Sequence, residues 1–99
     1  MRHIPRVSLA LECGVDGIIA SPQDNPDAIR DRLDAKRLLV VTPGVRLAGA
    51  TLDDHKRSGT PAQAIADGAD YLVVGRPIVH SDDPAAMALR IIADMRGAT

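Results

Sequence analysis

The sequence predicts an α/β fold in which three parallel strands alternate with four helices, as in a section of a (β/α)8 barrel or a doubly wound sheet. Short apolar runs at residues 16–21, 38–41 and 71–74 alternate with segments of helical pattern, which is typical of a parallel sheet. The chain has one Tyr and neither Phe nor Trp. Its core must therefore be aliphatic, as the layers of such barrels are. Because the two outer strands lack neighbours, we expect residues 1–99 to form a single partial domain.

The first half of the chain is predicted to contain two helices and two strands. A helix over residues 5–13 should end at Gly14, because glycine readily adopts the left-handed conformation that follows many helices. Asn25 is expected to cap the next helix, and Pro26 is tolerated at a first helical position. The predicted elements of this half are the helix 5–13, the strand 16–21, the helix 27–33 and the strand 38–41.

The second half begins with an irregular stretch, residues 44–59, of a length that is often functional. Thr60, Pro61 and Gln63 form the pattern of a capping box, so a helix is predicted from here to position 67. After the strand 71–74, a loop is expected to reach Asp83, which caps the last helix. That helix covers residues 84–96 and places four apolar side chains at helical spacing for the core: Met87, Ile91, Ile92 and Met95.

The composition excludes several classes of protein. The net charge is −1, so no overall field attracts the chain to nucleic acid or to an anionic membrane surface. No apolar run approaches the roughly 18 residues that a membrane helix needs. The single cysteine, Cys13, cannot form an internal disulfide, which fits a cytoplasmic protein. We expect Cys13 to be a small buried apolar residue.

Two predicted strands deliver glycine and arginine at their C-terminal ends. Gly44 and Arg46 follow one strand, and Gly75 and Arg76 follow the next. The backbone N–H of a glycine can approach an anion closely, and a guanidinium can bind phosphate with two hydrogen bonds. The sequence therefore predicts one shared phosphate site at this rim. The residues expected at the rim are Ser21, Thr42, Pro43, Gly44, Val45, Arg46, Gly75 and Arg76.

A dense polar cluster, Asp-Asp-His-Lys-Arg, occupies residues 53–57 of the irregular stretch. Carboxylates beside a histidine suggest acid–base chemistry or a metal site. No second His or Cys stands at a suitable offset, so we predict no metal site. A solvated loop is the favoured interpretation from the residues alone.

Several linked motifs resemble the C-terminal part of orotidine 5′-phosphate decarboxylase. They occur in the family's order and with similar spacing over about residues 7–96. They are the segments 14–22 (GVDGIIASP, like the family's sixth strand), 41–46 (VTPGVR), 53–57 (DDHKR), 60–61 (TP), 68–71 (GADY) and 74–78 (VGRPI). The resemblance implies a partial (β/α)8 barrel with strands equivalent to strands 6–8.

The resemblance also implies a function and a set of binding residues. Members of the family are usually homodimers and convert orotidine 5′-phosphate to UMP and carbon dioxide without a cofactor. The positions that match their nucleotide contacts are Arg46, His55, Gly75 and Arg76. Arg76 and the Gly75 backbone would hold the phosphate, while Arg46 and the loop after it would close over the nucleotide. His55 stands where the family commonly has Gln, whose paired donor and acceptor histidine does not reproduce.

The family's catalytic Asp-x-Lys-x-x-Asp segment has no counterpart in this sequence. Lys36 precedes a strand, which would place it at the rim opposite the predicted phosphate site. Lys56 lies in the segment that, in the family, closes over the phosphate. We therefore assign no catalytic residue to the chain and expect it to be inactive by itself. The expected partners are orotidine 5′-phosphate or UMP, together with a second copy or an N-terminal polypeptide that supplies the missing strands.

Two other interpretations remain open. One is a non-catalytic phosphate- or nucleotide-binding half-barrel that pairs with itself or with another chain, which the open strand edges suggest. The other is a different phosphate-binding barrel, such as a relative of hexulose-phosphate synthase or of a keto-gulonate-phosphate decarboxylase. Those enzymes share the terminal Gly-Arg but do not usually combine it with both loop motifs found here.

Overall fold

A computed structural model describes residues 4–21, 24–47 and 59–97. Within them, three parallel strands alternate with helices, which confirms the predicted α/β class. The elements are α1 (Ile4–Glu12), β1 (Gly17–Ile19), α2 (Pro26–Leu33), β2 (Leu39–Pro43), α3 (Pro61–Ala66), β3 (Tyr71–Val73), α4 (Arg76–Val79) and α5 (Pro84–Arg96). The short helix α4 was not predicted, because four residues are too few to show a helical period.

The three strands form one sheet in the order β1-β2-β3, with both pairs parallel. In its register Ile18 lies beside Val40, and Thr42 lies beside Leu72. Side chains of a strand alternate between the two faces of a sheet, so these four residues share one face. We call it the helix face, because its side chains pack under the helices.

The core on the helix face has two parts. The first joins α1, α2 and the sheet around Val7, Ile29 and Leu38. The second joins the end of β2 to α3 and β3 around Val45, Ala64 and Ala69. Val40, at the centre of the sheet, is fully buried. Aliphatic side chains build both parts, as the composition predicted.

The opposite face of the sheet, which we call the inner face, carries Gly17, Ile19, Leu39, Val41, Pro43, Tyr71 and Val73. Its apolar side chains are much more exposed than those of the helix face. Ile19 is 78% exposed and Tyr71 is 58% exposed, whereas Val40 and Thr42 are at most 1% exposed. None of the described helices covers this face. The sheet is therefore buried on one side only, although parallel sheets are almost always covered on both.

The predicted helix ends can be compared with the observed ones. The capping box is present: the Thr60 hydroxyl accepts a hydrogen bond from the Gln63 backbone N–H, and the Gln63 side chain accepts one from the Thr60 N–H. Asp83 caps α5 by accepting from the Ala86 N–H. Asn25 occupies the N-cap position of α2, directly before Pro26, as predicted. Its side chain, however, makes no capping bond, and its backbone is left-handed, with φ of 55°.

Two predictions of burial are wrong, those for Cys13 and Ile92. Cys13 is exposed, because it follows the last turn of α1 at a point where no element covers it. Ile92 is 42% exposed, while Ile91 beside it is buried. A helix turns about 100° per residue, so Ile92 lies about 100° round α5 from Ile91, towards the edge of the buried stripe.

An arginine holds α2 against the amino-terminal ends of β2 and β3. The Arg30 guanidinium donates to the backbone carbonyls of Leu38 at 3.0 Å and Gly68 at 2.6 Å. It also donates to the carboxylates of Asp27 at 2.9 Å and Asp70 at 2.6 Å. Asp70 in turn accepts from the Val40 N–H at 2.8 Å. These contacts fix the α2 helix and two strands in one arrangement.

Candidate functional site

The sheet register brings the two predicted Gly-Arg segments to the same edge. Pro43, the last residue of β2, lies beside Val73, the last residue of β3. The segments 44–46 and 74–76 therefore leave adjacent parallel strands at their carboxyl ends. This is the edge at which active sites of α/β barrels lie.

The segment after β2 is anchored by burial and by a backbone contact. Gly44 turns the chain with a φ of 74°, a conformation that suits glycine. Val45 is 1% exposed and packs in the second part of the core. The Arg46 N–H donates to the Gly59 carbonyl at 3.0 Å. The backbone of Arg46 is thus positioned next to the start of α3. Arg46 as a whole is half-buried.

The segment after β3 turns directly into α4. The Gly75 carbonyl accepts hydrogen bonds from the N–H groups of Ile78 and Val79, both at 3.0 Å. A Cβ placed on Gly75 would meet no atom within 4 Å. The space beside the Gly75 backbone is therefore open, and a ligand could approach it. Arg76, the next residue, is exposed.

His55 and the rest of the cluster at 53–57 lie outside the described residues. The described part of the predicted site therefore consists of Arg46, Gly75 and Arg76. The structure makes their segments neighbours. That they bind one phosphate together stays a prediction.

Thr42 and Ser21, two further residues of the predicted rim, are at least partly buried. Thr42 is 1% exposed and lies on the helix face. Its Oγ1 atom is buried and has no hydrogen-bond partner within the described part of the chain. Ser21 is half-buried, and its N–H donates to the Asp24 carboxylate at 2.9 Å. Because side chains alternate along a strand, Thr42 lies on the same face as Val40. The sequence alone does not show that the helices cover this face.

Sequence reasoning missed the part played by Arg30 and Asp70. Their network lies at the amino edge of the sheet, opposite the candidate site, where residues in barrels serve stability. An arginine within a short helix gives no local signal of this role, since its acceptors Leu38 and Gly68 are remote in sequence.

Two features of the described residues bear on other functions. Within residues 4–21, 24–47 and 59–97, no three His, Cys, Asp or Glu side chains come close enough together to hold a metal ion. None of the helices in the described part of the chain combines the length and the hydropathy that crossing a bilayer requires.

Comparison with known proteins gives one consistent family. A family model described as "Orotidine 5'-phosphate decarboxylase / HUMPS family" matches residues 5–91. The chain is 56% identical over 92 residues to an orotidine 5′-phosphate decarboxylase of Ruegeria pomeroyi. It is 53% identical over 92 residues to the protein of the same name from Cereibacter sphaeroides. Each alignment covers 93% of this chain.

Solved structures give the same result. The orotidine 5′-phosphate decarboxylase of Lactobacillus acidophilus superposes with a TM-score of 0.74 and 30% identity, covering 93% of this chain and 35% of that one. The enzyme of the same name from Pyrococcus horikoshii gives a TM-score of 0.73 and 29% identity, covering 94% of this chain and 41% of that one. Because these neighbours are (β/α)8 barrels, the likeness confirms a partial barrel.

The chain spans only part of its relatives. It covers 38% of the Ruegeria pomeroyi protein and 39% of the Cereibacter sphaeroides protein. The three strands described here correspond to a minor part of an eight-stranded barrel.

Proposed function

The chain belongs to the orotidine 5′-phosphate decarboxylase / HUMPS family, and from this premise we propose that it is the phosphate-binding part of an orotidine 5′-phosphate decarboxylase. In this proposal the substrate is orotidine 5′-phosphate and the product is UMP. Arg46, Gly75 and Arg76 bind the nucleotide, and His55 contributes from the loop between β2 and α3. Residues 1–99 act as a single partial domain, in the cytoplasm, without a cofactor.

The observation that carries the proposal is the adjacency of the two Gly-Arg segments. Pro43 and Val73 are paired at the ends of neighbouring strands, and the space beside the Gly75 backbone is open. A phosphate between the segments would accept hydrogen bonds from the Gly75 N–H and from the guanidinium of Arg76. Charge-assisted hydrogen bonds of this kind are about twice as strong as neutral ones.

The phosphate site would serve catalysis at a distance. Orotidine 5′-phosphate reacts at its base, so contacts with the phosphate do not touch the bond that breaks. Binding energy from a remote group can hold the substrate in the reactive geometry and favour closure of a loop over it. In our proposal Arg46, which follows β2, takes part in such a closure.

The proposal assigns no catalytic residue to this chain. The family's Asp-x-Lys-x-x-Asp pattern, which would supply the proton donor and its neighbouring carboxylates, is absent from the sequence. Loss of the groups aimed at the transition state removes most of the rate enhancement. We therefore propose that the isolated chain binds nucleotide and does not decarboxylate it.

The relatives and solved structures reported above carry the name of the decarboxylase. For this reason we prefer it to a hexulose-phosphate synthase relative. A non-catalytic binding module would have the same phosphate site. It differs from our proposal only in that it would not form part of a catalytic barrel.

Titration calorimetry with UMP, uridine and inorganic phosphate tests the binding site. We expect UMP to bind and uridine not to bind, since the phosphate provides the main contacts. Arg76→Ala should weaken UMP binding by about tenfold or more, consistent with the loss of a charged hydrogen bond. Arg37→Ala is the matched control, because Arg37 is an exposed arginine at the amino edge of the sheet. Equal binding of UMP and uridine, or equal effects of the two substitutions, would contradict the proposed site.

Gly75→Ala separates binding from folding. The added Cβ meets no protein atom within 4 Å, so the melting temperature should not change. We expect UMP binding to weaken, because the methyl group occupies the space through which the phosphate approaches. Unchanged UMP affinity would show that this space is not used.

A direct assay tests the lack of catalysis. The purified chain is incubated with orotidine 5′-phosphate, and UMP is measured by chromatography, with an intact decarboxylase as the positive control. We expect no UMP above the uncatalysed background. Turnover close to that of the control would mean that a residue of this chain, such as Lys36 or Lys56, performs the protonation.

A further inference from the structure

The start of helix α3 receives one of its hydrogen-bond acceptors from another helix. Pro61 has no N–H, so the donors to be satisfied there are the N–H groups of Thr60, Ala62 and Gln63. The Gln63 N–H donates to the Thr60 hydroxyl, and the Thr60 N–H donates to the Gln63 side chain. The Ala62 N–H donates to a carboxylate oxygen of Asp94 at 2.9 Å. Asp94 therefore supplies the acceptor that the capping box leaves open.

Asp94 lies near the end of α5, 32 positions beyond Ala62. It is half-buried, and α5 packs against α3. An N–H that is partly shielded from water needs an acceptor within the protein, and a hydrogen bond to a carboxylate is about twice as strong as one between neutral groups. The Asp94 bond thus fixes the beginning of α3 relative to α5, whereas the capping box joins neighbours within the start of α3.

The same helix start is connected to the candidate site through Gly59. This glycine directly precedes Thr60, the N-cap of α3, and its carbonyl accepts a hydrogen bond from the Arg46 N–H at 3.0 Å. Val45, next to Arg46, is buried in one cluster with Ala64 of α3. The backbone of Arg46 is therefore held by the burial of its neighbour and by the Gly59 carbonyl, and both of these contacts depend on where α3 lies.

We propose that Asp94 is a positioning residue for the nucleotide site. Its carboxylate holds the start of α3, and with it the Gly59 carbonyl, where that carbonyl fixes the backbone of Arg46. This inference rests on the proposed function, in which Arg46 binds the nucleotide, and adds a residue of α5 that acts without touching the ligand. Hydrogen bonds weaken steeply when donor and acceptor are misaligned, so a shift in the backbone of Arg46 lowers the contribution of its guanidinium to binding.

Arg76, the other arginine of the candidate site, is placed by a different set of contacts. It follows Gly75 at the start of α4, and the Gly75 carbonyl accepts two hydrogen bonds from N–H groups of that helix. Removal of the Asp94 carboxylate should therefore reduce the contribution of Arg46 to binding and leave that of Arg76 intact. A general loss of stability would instead affect binding whichever arginine is present.

A double-mutant cycle on UMP affinity tests the inference. Asp94→Ala is titrated with UMP by calorimetry in the unsubstituted chain, in Arg46→Ala and in Arg76→Ala, and each affinity is corrected for the folded fraction found by urea denaturation. We expect Asp94→Ala to weaken UMP binding about fivefold in the unsubstituted chain and in Arg76→Ala, and to have no effect in Arg46→Ala. Equal weakening in all three chains, or no weakening in any, would overturn the inference.

Two further variants separate the hydrogen bond from the charge and from stability. Asp94→Asn keeps an acceptor oxygen but loses the charge, so it should weaken UMP binding less than Asp94→Ala does; it also carries the same cycle if the alanine variant does not fold. The control is Asp27→Ala, which removes a carboxylate whose hydrogen bond with Arg30 Nη1 is also 2.9 Å long but lies at the amino edge of the sheet. Asp27→Ala should leave the UMP affinity of the folded chain unchanged. Weakening equal to that of Asp94→Ala would count against the inference.

Amide hydrogen exchange measures the placement of Arg46 without a ligand. Asp94→Ala should speed exchange of the Arg46 N–H at least about fivefold more than exchange of the Ala20 N–H, which is bonded to the Val41 carbonyl at 3.0 Å. Equal acceleration at both sites would indicate general destabilisation and overturn the inference. If the unsubstituted chain does not bind UMP, the proposed function fails, while selective acceleration at Arg46 still supports the role of Asp94. If UMP binds and Asp94→Ala alters neither its affinity nor the exchange at Arg46, the proposed function stands and the inference is wrong.

Discussion

At the scale of single residues, Arg30 connects parts of the chain that are distant in sequence. Its side chain is 12% exposed and donates to two backbone carbonyls and two carboxylates. The two carboxylates are more exposed, Asp27 at 60% and Asp70 at 39%, so solvent weakens the charge attraction to each. The bonds to the Leu38 and Gly68 carbonyls should matter more, because they are partly buried and a carbonyl shielded from water needs a donor within the protein.

Arg30→Met should destabilise the chain by about 2 kcal/mol, since hydrogen bonds to charged groups contribute about 1.5–3 kcal/mol each but partial exposure reduces this. Arg30→Lys should restore only part of the loss, because an ammonium group cannot reproduce the planar fork. Urea denaturation measures both. The control is Arg32→Met, an exposed position on the same helix, which should change stability by less than about 0.5 kcal/mol. Equal midpoints for the Arg30 and Arg32 variants would disprove the role of Arg30.

Gly68 is the second residue whose identity the structure explains. It has a φ of 114°, and a Cβ there would lie 2.5 Å from Asp27 Oδ1 and 2.9 Å from Arg30 Nη1. We expect Gly68→Ala to destabilise the chain by about 2 kcal/mol, from a left-handed backbone that alanine resists and from displacement of the Arg30 contacts. Gly97→Ala is the comparison, because Gly97 has a right-handed backbone. A urea midpoint for Gly68→Ala equal to that of Gly97→Ala would contradict this.

At the scale of elements, the helices depend on their ends as much as on their packing. Helix α3 has only six residues, and isolated helices this short are not stable in water. Its start is fixed by the Thr60–Gln63 capping box and by Asp94 of α5, which accepts from the Ala62 N–H at 2.9 Å. Burial of Ala64 beneath it supplies the rest. The segment that contains His55 precedes this helix in the sequence.

Thr60→Ala should cost about 1 kcal/mol of stability, because the Gln63 N–H loses its acceptor. Thr60→Ser keeps the hydroxyl and should cost much less. Both variants are compared by urea denaturation, together with UMP titration, since a misplaced start of α3 would shift the Gly59 contact of Arg46. Equal stability of the alanine and serine variants would show that the cap contributes nothing.

At the scale of the whole molecule, burial is one-sided. The helix face of the sheet is closed, while the inner face and both edges are open within the described residues. Small chains bury a modest fraction of their surface, and a sheet covered on one side loses part of the apolar burial available to it. We therefore expect low stability for the isolated chain.

Urea denaturation of the isolated chain measures its free energy of unfolding. Natural domains usually give about 5–15 kcal/mol, so a value within that range would contradict the expected low stability.

Much of this fold could be predicted from local patterns. The apolar runs predicted all three strands, glycine at positions 14 and 68 marked helix ends, and the pattern at Thr60 predicted its capping box. The candidate site followed from the Gly-Arg pairs and from the resemblance, although its binding role stays a prediction. The start of α2 after Asn25 was also predicted, but the capping bond was not formed, since that residue takes a left-handed backbone.

The sequence by itself determined the element order, the aliphatic core and the family, because periodicity, glycine stops and linked motifs are local properties of the chain. Only the tertiary structure decided which face of each strand is covered, so it alone showed that Thr42 points into the helix layer while Ile19 lies open. It also brought Arg30 to Asp70 and made the Gly44 and Gly75 segments neighbours. These facts depend on register and on contacts between residues about thirty or more positions apart, which no local pattern encodes.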